Sequence, residues 1–346
     1  MPGLTGARHA FVRQAETCRA SGSEFVAAVL EAVDRHLSAA PRSNQIVQHW
    51  RGDPAAGAVA LRVNGALHAL ARRGQPAYLS ALYQGEHTDF DGAVGQALAQ
   101  EDAFIAEWMR YPTQTNEVAR GAAIMSALMA IAAEQAMPFE ILELGSSCGL
   151  NLNLARYSYR LGNLEAGERA SPVRIAPRWS GADPPDAQVR IIAAQGVDLN
   201  PLDATDPAHR ERLLSFTWAD QPARSRRLEA ALQVARTHPP QVHQGDARLW
   251  LTQRLAERQS EDTCRVVLHT MFVQYLSLPE RGDIAKLLEA AGAGSTGERP
   301  LYEIGLEWTA DRGEVQLRAT RWPEGCSKVL AICHPYCEWV EWLGFT

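Results

Sequence analysis

The first part of the chain has the hydrophobic pattern of a set of helices. Apolar residues recur at every fourth position from Phe25 to Leu37, and this spacing places them on one face of a helix. Ser21 and Glu24 precede them as a capping-box pair, which predicts that the helix begins there. No clear strand pattern appears before residue 139. We therefore expect residues 1–138 to form an all-helical N-terminal domain or cap.

Three further helices are expected within this domain. Two amphipathic stretches predict helices over 57–74 and 93–111. A third stretch, 115–137, is apolar on nearly every side, so it predicts a helix buried between layers. Thr115 or Asn116 is the expected N-cap of that helix, because short polar side chains accept hydrogen bonds from the first free backbone N–H groups.

From residue 139 onward, short apolar runs alternate with helical stretches. That alternation is typical of an α/β domain with a largely parallel sheet, which we expect over residues 139–346 with an insertion near 157–187. An antiparallel hairpin is predicted over 314–322 and 328–335. The tail around Trp339 is expected to be a helix docked on the sheet. The parallel strands are predicted at 139–145, 190–199, 240–246, 264–271 and 301–308.

The charge balance favours a small-molecule partner. The 346 residues include 34 Lys and Arg against 40 Asp and Glu, which gives a net charge of −6. A protein that binds nucleic acid through many phosphate contacts needs a basic surface. We therefore expect no nucleic-acid partner.

Nothing in the sequence indicates a membrane protein or an exported protein. The longest stretch without a charged residue, 121–133, is shorter than the roughly 20 apolar residues that span a bilayer. The N-terminus lacks the apolar core of a signal peptide. The cysteines form no Cys-x-x-Cys pair, so neither a zinc site nor a thioredoxin-type site is expected. These features predict a cytoplasmic protein without a bound metal.

One segment of the predicted sheet carries candidate chemistry. Residues 139–157 place Glu143 at the end of a buried strand, followed by a turn with Gly145 and Gly149. Glycines let the backbone approach a ligand, and the first N–H groups of a following helix attract its polar groups. This arrangement is typical of a nucleotide-type cofactor site. A tight strand-to-helix turn without a ligand is the alternative.

Two later segments extend this pattern. Gly-Asp-Ala ends the third predicted strand, and a polar loop follows the fourth strand. Together with the Glu-x-Gly turn, they resemble a class I methyltransferase. The resemblance implies a Rossmann-like methyltransferase sheet that binds S-adenosylmethionine as its cofactor. It also implies the contacts to that cofactor, which are Glu143, Gly145, Ser147 and Gly149 around the methionine part, Asp198 at the ribose hydroxyls, and Asp246 with Ala247 at the adenine.

The loop after the fourth predicted strand is expected to face the methyl acceptor. His269 and Tyr275 are the candidate catalytic residues, and Thr270 lies between them facing cofactor and acceptor. A histidine at the carboxyl end of a strand suits proton removal from an acceptor, although a histidine tied to a backbone carbonyl is equally consistent with the sequence. Asn116 precedes the helix that leads into the first strand, so it is either a cofactor contact or an ordinary cap.

The whole chain also resembles a bacterial family of domains of unknown function, number 2332. The matching segments include QTNEVAR at 114–120, GVDLNPLDATDP beginning at residue 196, and the terminal CHPYCEWVEW. This second resemblance covers nearly the whole chain and implies no particular reaction.

Two other functions fit the same turn. Ser147 stands where the methyltransferase turn has its central glycine, so the segment also reads G-x-S-x-G, the nucleophile elbow of serine hydrolases. Asp198 or Asp246 would then be the acid and His334 the base. The acidic Glu143 and the lack of an HGGG-like segment favour the methyltransferase. The other alternative is a binding protein that kept the fold without the catalytic activity.

Overall fold

The computed structural model describes residues 4–345, and their contacts divide the chain into two compact units. The helical unit consists of Met1–Thr115 and Asp206–Glu229, and the sheet unit consists of Asn116–Thr205 and Ala230–Thr346. Each unit is built from two separate stretches of chain, because the chain leaves the sheet unit at residue 206 and returns to it at residue 230.

The regular elements follow one another from helices to a mixture of strands and helices. The α-helices are α1 (Leu4–Ala20), α2 (Glu24–His36), α3 (Pro41–Gln48), α4 (Val59–Arg72), α5 (Ala77–Tyr83), α6 (Phe90–Gln100), α7 (Asp102–Trp108), α8 (Gly121–Glu134), α9 (Pro207–Phe216), α10 (Pro222–Thr237), α11 (Ala247–Ala256) and α12 (Leu278–Gly292). Short 3-10 helices lie at Leu37–Ala39, Val118–Arg120, Leu150–Arg156 and Val273–Tyr275. The strands are β1 (Phe139–Leu144), β2 (Ser158–Leu161), β3 (Leu164–Gly167), β4 (Arg174–Ile175), β5 (Arg178–Gly181), β6 (Ile191–Asp198), β7 (Gln241–Gln244), β8 (Cys264–Thr270), β9 (Leu301–Trp308), β10 (Val315–Arg321), β11 (Cys326–Cys333) and β12 (Trp339–Trp342).

The start of α2 differs from the predicted one. Ser23, not Ser21, is the N-cap, and its hydroxyl accepts a hydrogen bond from the N–H of Val26 at 3.3 Å. The same hydroxyl donates to the carboxylate of Asp220 at 2.7 Å in the same unit. The predicted capping box is therefore wrong, because a nearby buried serine, hydrogen-bonded to the carboxylate of Asp220, takes its place.

Two other predicted helices are modified at their ends. The helix predicted over 93–111 is broken at Glu101 into α6 and α7. The apolar helix predicted over 115–137 is α8, which is buried along most of its length and follows a 3-10 turn. Glu117 caps that turn by accepting a bond from the backbone N–H two residues on. Asn116 instead accepts a hydrogen bond from the N–H of Leu150 at 3.2 Å, so the predicted cap is wrong.

The sheet unit contains a nine-stranded sheet in the order β5-β12-β11-β10-β9-β8-β1-β6-β7. The strands β7, β6, β1, β8 and β9 all run parallel, and β10 and β11 follow as an antiparallel hairpin. The predicted combination of helices with a large, mostly parallel sheet is confirmed. Counted along the chain, the parallel strands have the order 3-2-1-4-5, which reverses direction between β1 and β8.

The insertion and the tail are both more strand-rich than predicted. β2, β3 and β4 form a separate three-stranded sheet, whereas β5 joins the main sheet beside β12. The tail is the strand β12, so the predicted C-terminal helix is wrong. Val340 and Trp342 alternate with exposed residues and are buried, a period of two that suits a strand lying between β11 and β5.

The segment after β1 is a 3-10 helix rather than the predicted α-helix. Two fully buried tyrosines fix it, because the hydroxyl of Tyr157 donates to the carbonyl of Leu150 at 2.6 Å and that of Tyr159 donates to the carbonyl of Leu154 at 2.7 Å. These bonds satisfy carbonyl groups that a continuing helix would otherwise satisfy.

Apolar packing fixes the sheet behind the candidate site. Leu142 and Val267 on neighbouring strands pack with Trp250 of α11 and Leu288 of α12 on one face of the sheet. Each fully buried aliphatic side chain contributes roughly 1.5–3 kcal/mol. The carboxyl ends of β1, β6 and β8 are thereby held in fixed register.

Candidate functional site

The turn after β1 is strained and cross-linked to β6. Gly145, Ser147 and Gly149 all have positive φ angles, at 70°, 56° and 70°. The N–H of Ser147 donates to the carboxylate of Asp198 at 2.8 Å, and the N–H of Gly145 donates to the carbonyl of Val197 at 2.9 Å. Serine seldom adopts a left-handed backbone conformation, and the residues that do so are concentrated at functional sites. The bonds to β6 hold this conformation.

Buried hydrogen-bond acceptors without a partner cluster beneath this turn. Oε1 of Glu143 accepts a hydrogen bond from Nδ2 of Asn151 at 2.8 Å. Oε2 of Glu143, Oδ1 of Asn151 and the hydroxyl of Ser147 are buried and have no hydrogen-bond partner among the described residues. Such groups are costly to bury. This cluster is therefore the part of the site that most needs a partner.

Burial changes the charge of Glu143. Desolvation raises the pKa of its carboxyl to about 8, against the bond from Asn151, which lowers the pKa, and with a further rise from the charge of Asp198. At neutral pH the carboxyl is therefore mostly protonated. A cation bound beside it would shift the pKa down again and restore the carboxylate.

The acidic residues after β6 and β7 lie at the same edge as the turn. The N–H of Gly245 donates to the carbonyl of Asp198 at 3.0 Å, which joins the ends of the two strands. Asp246 is the N-cap of α11, and its carboxylate accepts from the N–H of Arg248 at 2.8 Å. The Arg248 guanidinium beside it is the main cause that holds the pKa of Asp246 below its ordinary value. Ala247 is the first residue of that helix.

His269 is buried between two carboxylates at the end of β8. Nδ1 lies 2.8 Å from Oε1 of Glu307, and Nε2 lies 3.3 Å from Oε1 of Glu303. Burial alone lowers the pKa of the imidazole, but the two carboxylates outweigh it and raise the pKa to about 10. The ring is therefore an imidazolium at neutral pH. Gly305 leaves room for it, since a methyl group there would lie 2.6 Å from Cε1 of His269.

The loop after β8 is hydrogen-bonded to one of these carboxylates, that of Glu307. Oε1 of Glu307 accepts hydrogen bonds from the N–H groups of Phe272 at 2.9 Å and Val273 at 3.3 Å. The ring of Phe272 stands over the turn after β1, since a methyl group on Gly145 would lie 2.5 Å from its Cδ2. Tyr275 farther along the loop is 63% exposed. The loop thus covers the turn with one aromatic ring and presents another to solvent.

A family model described as an uncharacterized protein conserved in bacteria, DUF2332, matches residues 8–342. The chain belongs to the DUF2332 family. No curated protein and no solved structure matches it. Within the described part of this DUF2332 chain, no helix is long and apolar enough to cross a membrane.

The DUF2332 sheet brings most of the predicted site residues to one edge. Glu143 and Asp198 lie at the carboxyl ends of the adjacent parallel strands β1 and β6, and Asp246 follows β7 beside them. Asn116 reaches the turn after β1 from the segment before α8. Thr270 ends β8 at the same edge and is half-buried. Tyr275 lies apart from the buried cluster, in an exposed part of its loop.

Several residues of the DUF2332 site were missed from the sequence. Asn151 and Phe272 contact Glu143 and Gly145 only because the segment after β1 and the loop after β8 fold back toward the strand ends. Glu303 and Glu307 had a readable signal, because they flank Gly305 at alternate positions of a strand and must share a face. A groove of about 350 Å³ lies elsewhere on this unit, beside Leu152 and the start of β6 and away from the carboxyl ends of the strands.

Proposed function

We propose that this DUF2332 protein binds S-adenosylmethionine at the carboxyl edge of β1, β6 and β7 and transfers its methyl group to a small or medium-sized acceptor. Open parallel sheets bind ligands beyond the carboxyl ends of their strands, at the point where strand order reverses. In this sheet that point lies between β1 and β8, beside the turn that carries Gly145.

The observation that carries the proposal is the cluster of unpartnered acceptors. Oε2 of Glu143 and Oδ1 of Asn151 are buried and accept no hydrogen bond within residues 4–345. The methionine part of the cofactor carries an ammonium group, which is a donor with a positive charge. An ammonium bound there would satisfy both oxygens and stabilise the ionised form of Glu143. The residues present therefore fit this end of the cofactor.

The adenosine part would extend toward the ends of β6 and β7. Asp198 is the candidate for the ribose hydroxyls, and Asp246 with Ala247 is the candidate for the adenine. Asp198 also holds the turn through the N–H of Ser147, so one carboxylate would link the shape of the turn to the bound sugar. The main adjustment that binding requires is at Phe272, whose ring stands in the space beside Gly145.

The cofactor supplies an activated methyl group on a positively charged sulfur. The chain supplies position and exclusion of water. His269 has no lone pair available as an imidazolium, so we assign it a positioning role: with Glu307 it fixes the loop that carries Phe272 and Tyr275. Thr270 and Tyr275 are the proposed acceptor contacts.

The serine-hydrolase alternative has weaker geometric support. His334 follows β11, which lies four strands from β1 in the sheet. At about 4.8 Å per strand this corresponds to roughly 19 Å from Ser147, whereas a nucleophile and its base need hydrogen-bond contact. A binding protein without catalytic activity would use the same cofactor site and would differ only in turnover.

Calorimetric titration with S-adenosylhomocysteine tests the proposal. We expect micromolar binding by the wild type and at least tenfold weaker binding by Asn151→Ala, which removes one of the unpartnered acceptors. Asn153→Ala is the matched control, because Asn153 lies in the same 3-10 helix but donates to the carbonyl of His238 instead. Absence of binding to the wild type, or equal losses in both variants, would contradict the proposed site. Methyl transfer to any acceptor would then separate enzyme from binding protein.

A further inference from the structure

The first half of β6 has an open edge. β6 pairs with β1 from Ile191 to Val197, but its pairing with β7 begins only at Gln195, opposite Gln241. Within the described part of the chain, residues 191–194 therefore have no strand beside them on the β7 side. An open strand edge presents backbone N–H and C=O groups that can pair with another extended chain.

Two consecutive prolines account for this open edge. Pro239 and Pro240 directly precede β7, and proline has no N–H group to donate to a strand ladder. β7 therefore begins at Gln241 and does not extend beside the first half of β6. The residue before the prolines is fixed to the 3-10 helix after β1, because Nδ2 of Asn153 donates to the carbonyl of His238 at 3.0 Å. The fold thus keeps the edge open.

The groove of about 350 Å³ lies along this edge. Its walls are residues 192–195 of β6, residues 239–241, and Leu152 with Asn153 of the 3-10 helix. None of these residues carries a charge. The pairing of β6 with β1 skips Ile192, and a bulge of this kind re-aims a side chain. Ile192 is 55% exposed, so the groove offers an apolar contact beside open backbone groups.

We propose that this groove binds a short, uncharged peptide segment as an additional strand beside the first half of β6. Main-chain hydrogen bonds to the open edge would supply affinity, and Ile192 would pack on an apolar side chain at one of the alternate positions of the peptide. The uncharged walls match a neutral segment, because burying a charge without a partner is costly. The inference does not depend on the proposed function, since the groove lies away from the carboxyl ends of the strands.

The size of the groove favours a peptide over a second copy of this chain. The open stretch of β6, residues 191–194, extends about 13 Å at the rise of a strand, which suits a segment of similar length. A stable interface between two proteins takes roughly 20–30 residues from each side. The groove is lined by residues of only three short segments, which is too little surface for a stable dimer.

Selection from a library of random hexapeptides with blocked ends, using the full chain as the target, tests the inference. We expect the selected peptides to be uncharged, with β-branched or aromatic side chains at alternate positions, and to bind with micromolar affinity. N-methylation of every second amide, on the side that faces β6, should weaken binding about tenfold or more because it removes main-chain donors. N-methylation of the amides between them should have little effect.

Variants of the protein give the complementary test. Ile192→Lys places a charge on the open edge and should weaken binding of the selected peptides roughly tenfold, whereas Ile192→Val keeps the apolar contact and should bind them like the wild type. Leu249→Lys is the matched control, because Leu249 is also an exposed apolar residue of the sheet unit but lies in the first turn of α11; its binding should be unchanged.

Three results would overturn the inference. The first is a failure to select any peptide, the second is equal sensitivity of all the peptide amides to N-methylation, and the third is unchanged binding by Ile192→Lys. Sedimentation velocity examines the second copy as the occupant. A wild-type dimer that becomes a monomer in Ile192→Lys would assign the edge to another copy of this chain and would likewise overturn the peptide site.

Discussion

Nδ1 of His269 lies 2.8 Å from Oε1 of Glu307, and the same oxygen accepts the N–H of Phe272. One half-buried carboxylate thus connects the histidine at the end of β8 to the loop that covers the turn after β1. Any change in the charge of the histidine therefore acts on the position of the loop as well as on stability.

The His269 ion pairs predict a loss of stability at high pH. Because the folded-state pKa is raised from 6.5 to about 10, the stability contributed by the imidazolium is fully present below pH 6.5 and is lost as the pH rises through 10. We expect His269→Gln to lower the free energy of unfolding by about 3 kcal/mol at pH 6 and by much less above pH 10. Urea denaturation at several pH values measures this, and a difference independent of pH would contradict the ion pairs.

The raised pKa of Glu143 predicts that the stability of the fold also depends on pH in a lower pH range than for His269. Its folded-state pKa is raised from 4.5 to about 8, so the folded protein holds a proton that the unfolded chain releases, and stability should fall as the pH rises from 4.5 to 8. Glu143→Gln should remove this fall. Glu165→Gln, at an exposed position, should keep it. Saturation with S-adenosylhomocysteine should also reduce the fall in the wild type, because a bound ammonium favours the ionised carboxyl.

Phe272 is expected to control access to the turn. If the methionine part occupies the space beside Gly145, the ring must first leave it, and that displacement weakens binding. We expect Phe272→Ala to bind S-adenosylhomocysteine about fivefold more tightly, a gain of ~1 kcal/mol, and to bind it faster. Stopped-flow measurements on wild type and variant would test this. Weaker binding by the variant would indicate that the ring packs on the ligand instead.

Alanine substitutions at two glycines of the sheet unit should change the stability of the fold in opposite directions. Gly305→Ala places a methyl group 2.6 Å from His269 and should destabilise the fold by about 1–3 kcal/mol through overpacking. Gly282→Ala lies within α12 and meets nothing within 4 Å, so it should stabilise by about 0.5–1 kcal/mol. Thermal denaturation of both variants gives the comparison, and two changes of the same sign would be inconsistent with this packing.

The alternation of strands and helices was readable from the sequence because each element repeats its own period. All the strands predicted for the parallel sheet form, as does the terminal hairpin. The tail forms a strand although the sequence predicts a helix there, because the spacing of its two tryptophans is also compatible with helical packing. Their burial as a strand depends on β5, which comes from an insertion more than 150 residues earlier, and no local pattern contains that information.

The site was less accessible to prediction than the sheet. Acidic residues at the ends of strands could be read from position, because parallel strands end at a common edge. The protonation of Glu143 and His269 could not, since the first depends on burial of the carboxyl after folding and the second on the contacts of the imidazole with Glu303 and Glu307. The 3-10 helix after the turn depends likewise on the hydroxyls of Tyr157 and Tyr159.

The return of Asp206–Glu229 to the helical unit has a practical consequence for anyone dividing the gene. α9 packs on α4 within that unit, with the carbonyl of Ser215 3.0 Å from Nδ1 of His68. A fragment ending at residue 115 would lack this helix and expose the surface beneath it, and the complementary fragment would carry the same helix without its cradle. Each unit would therefore have to be made by joining two separate segments of the chain, because a single cut leaves neither unit complete.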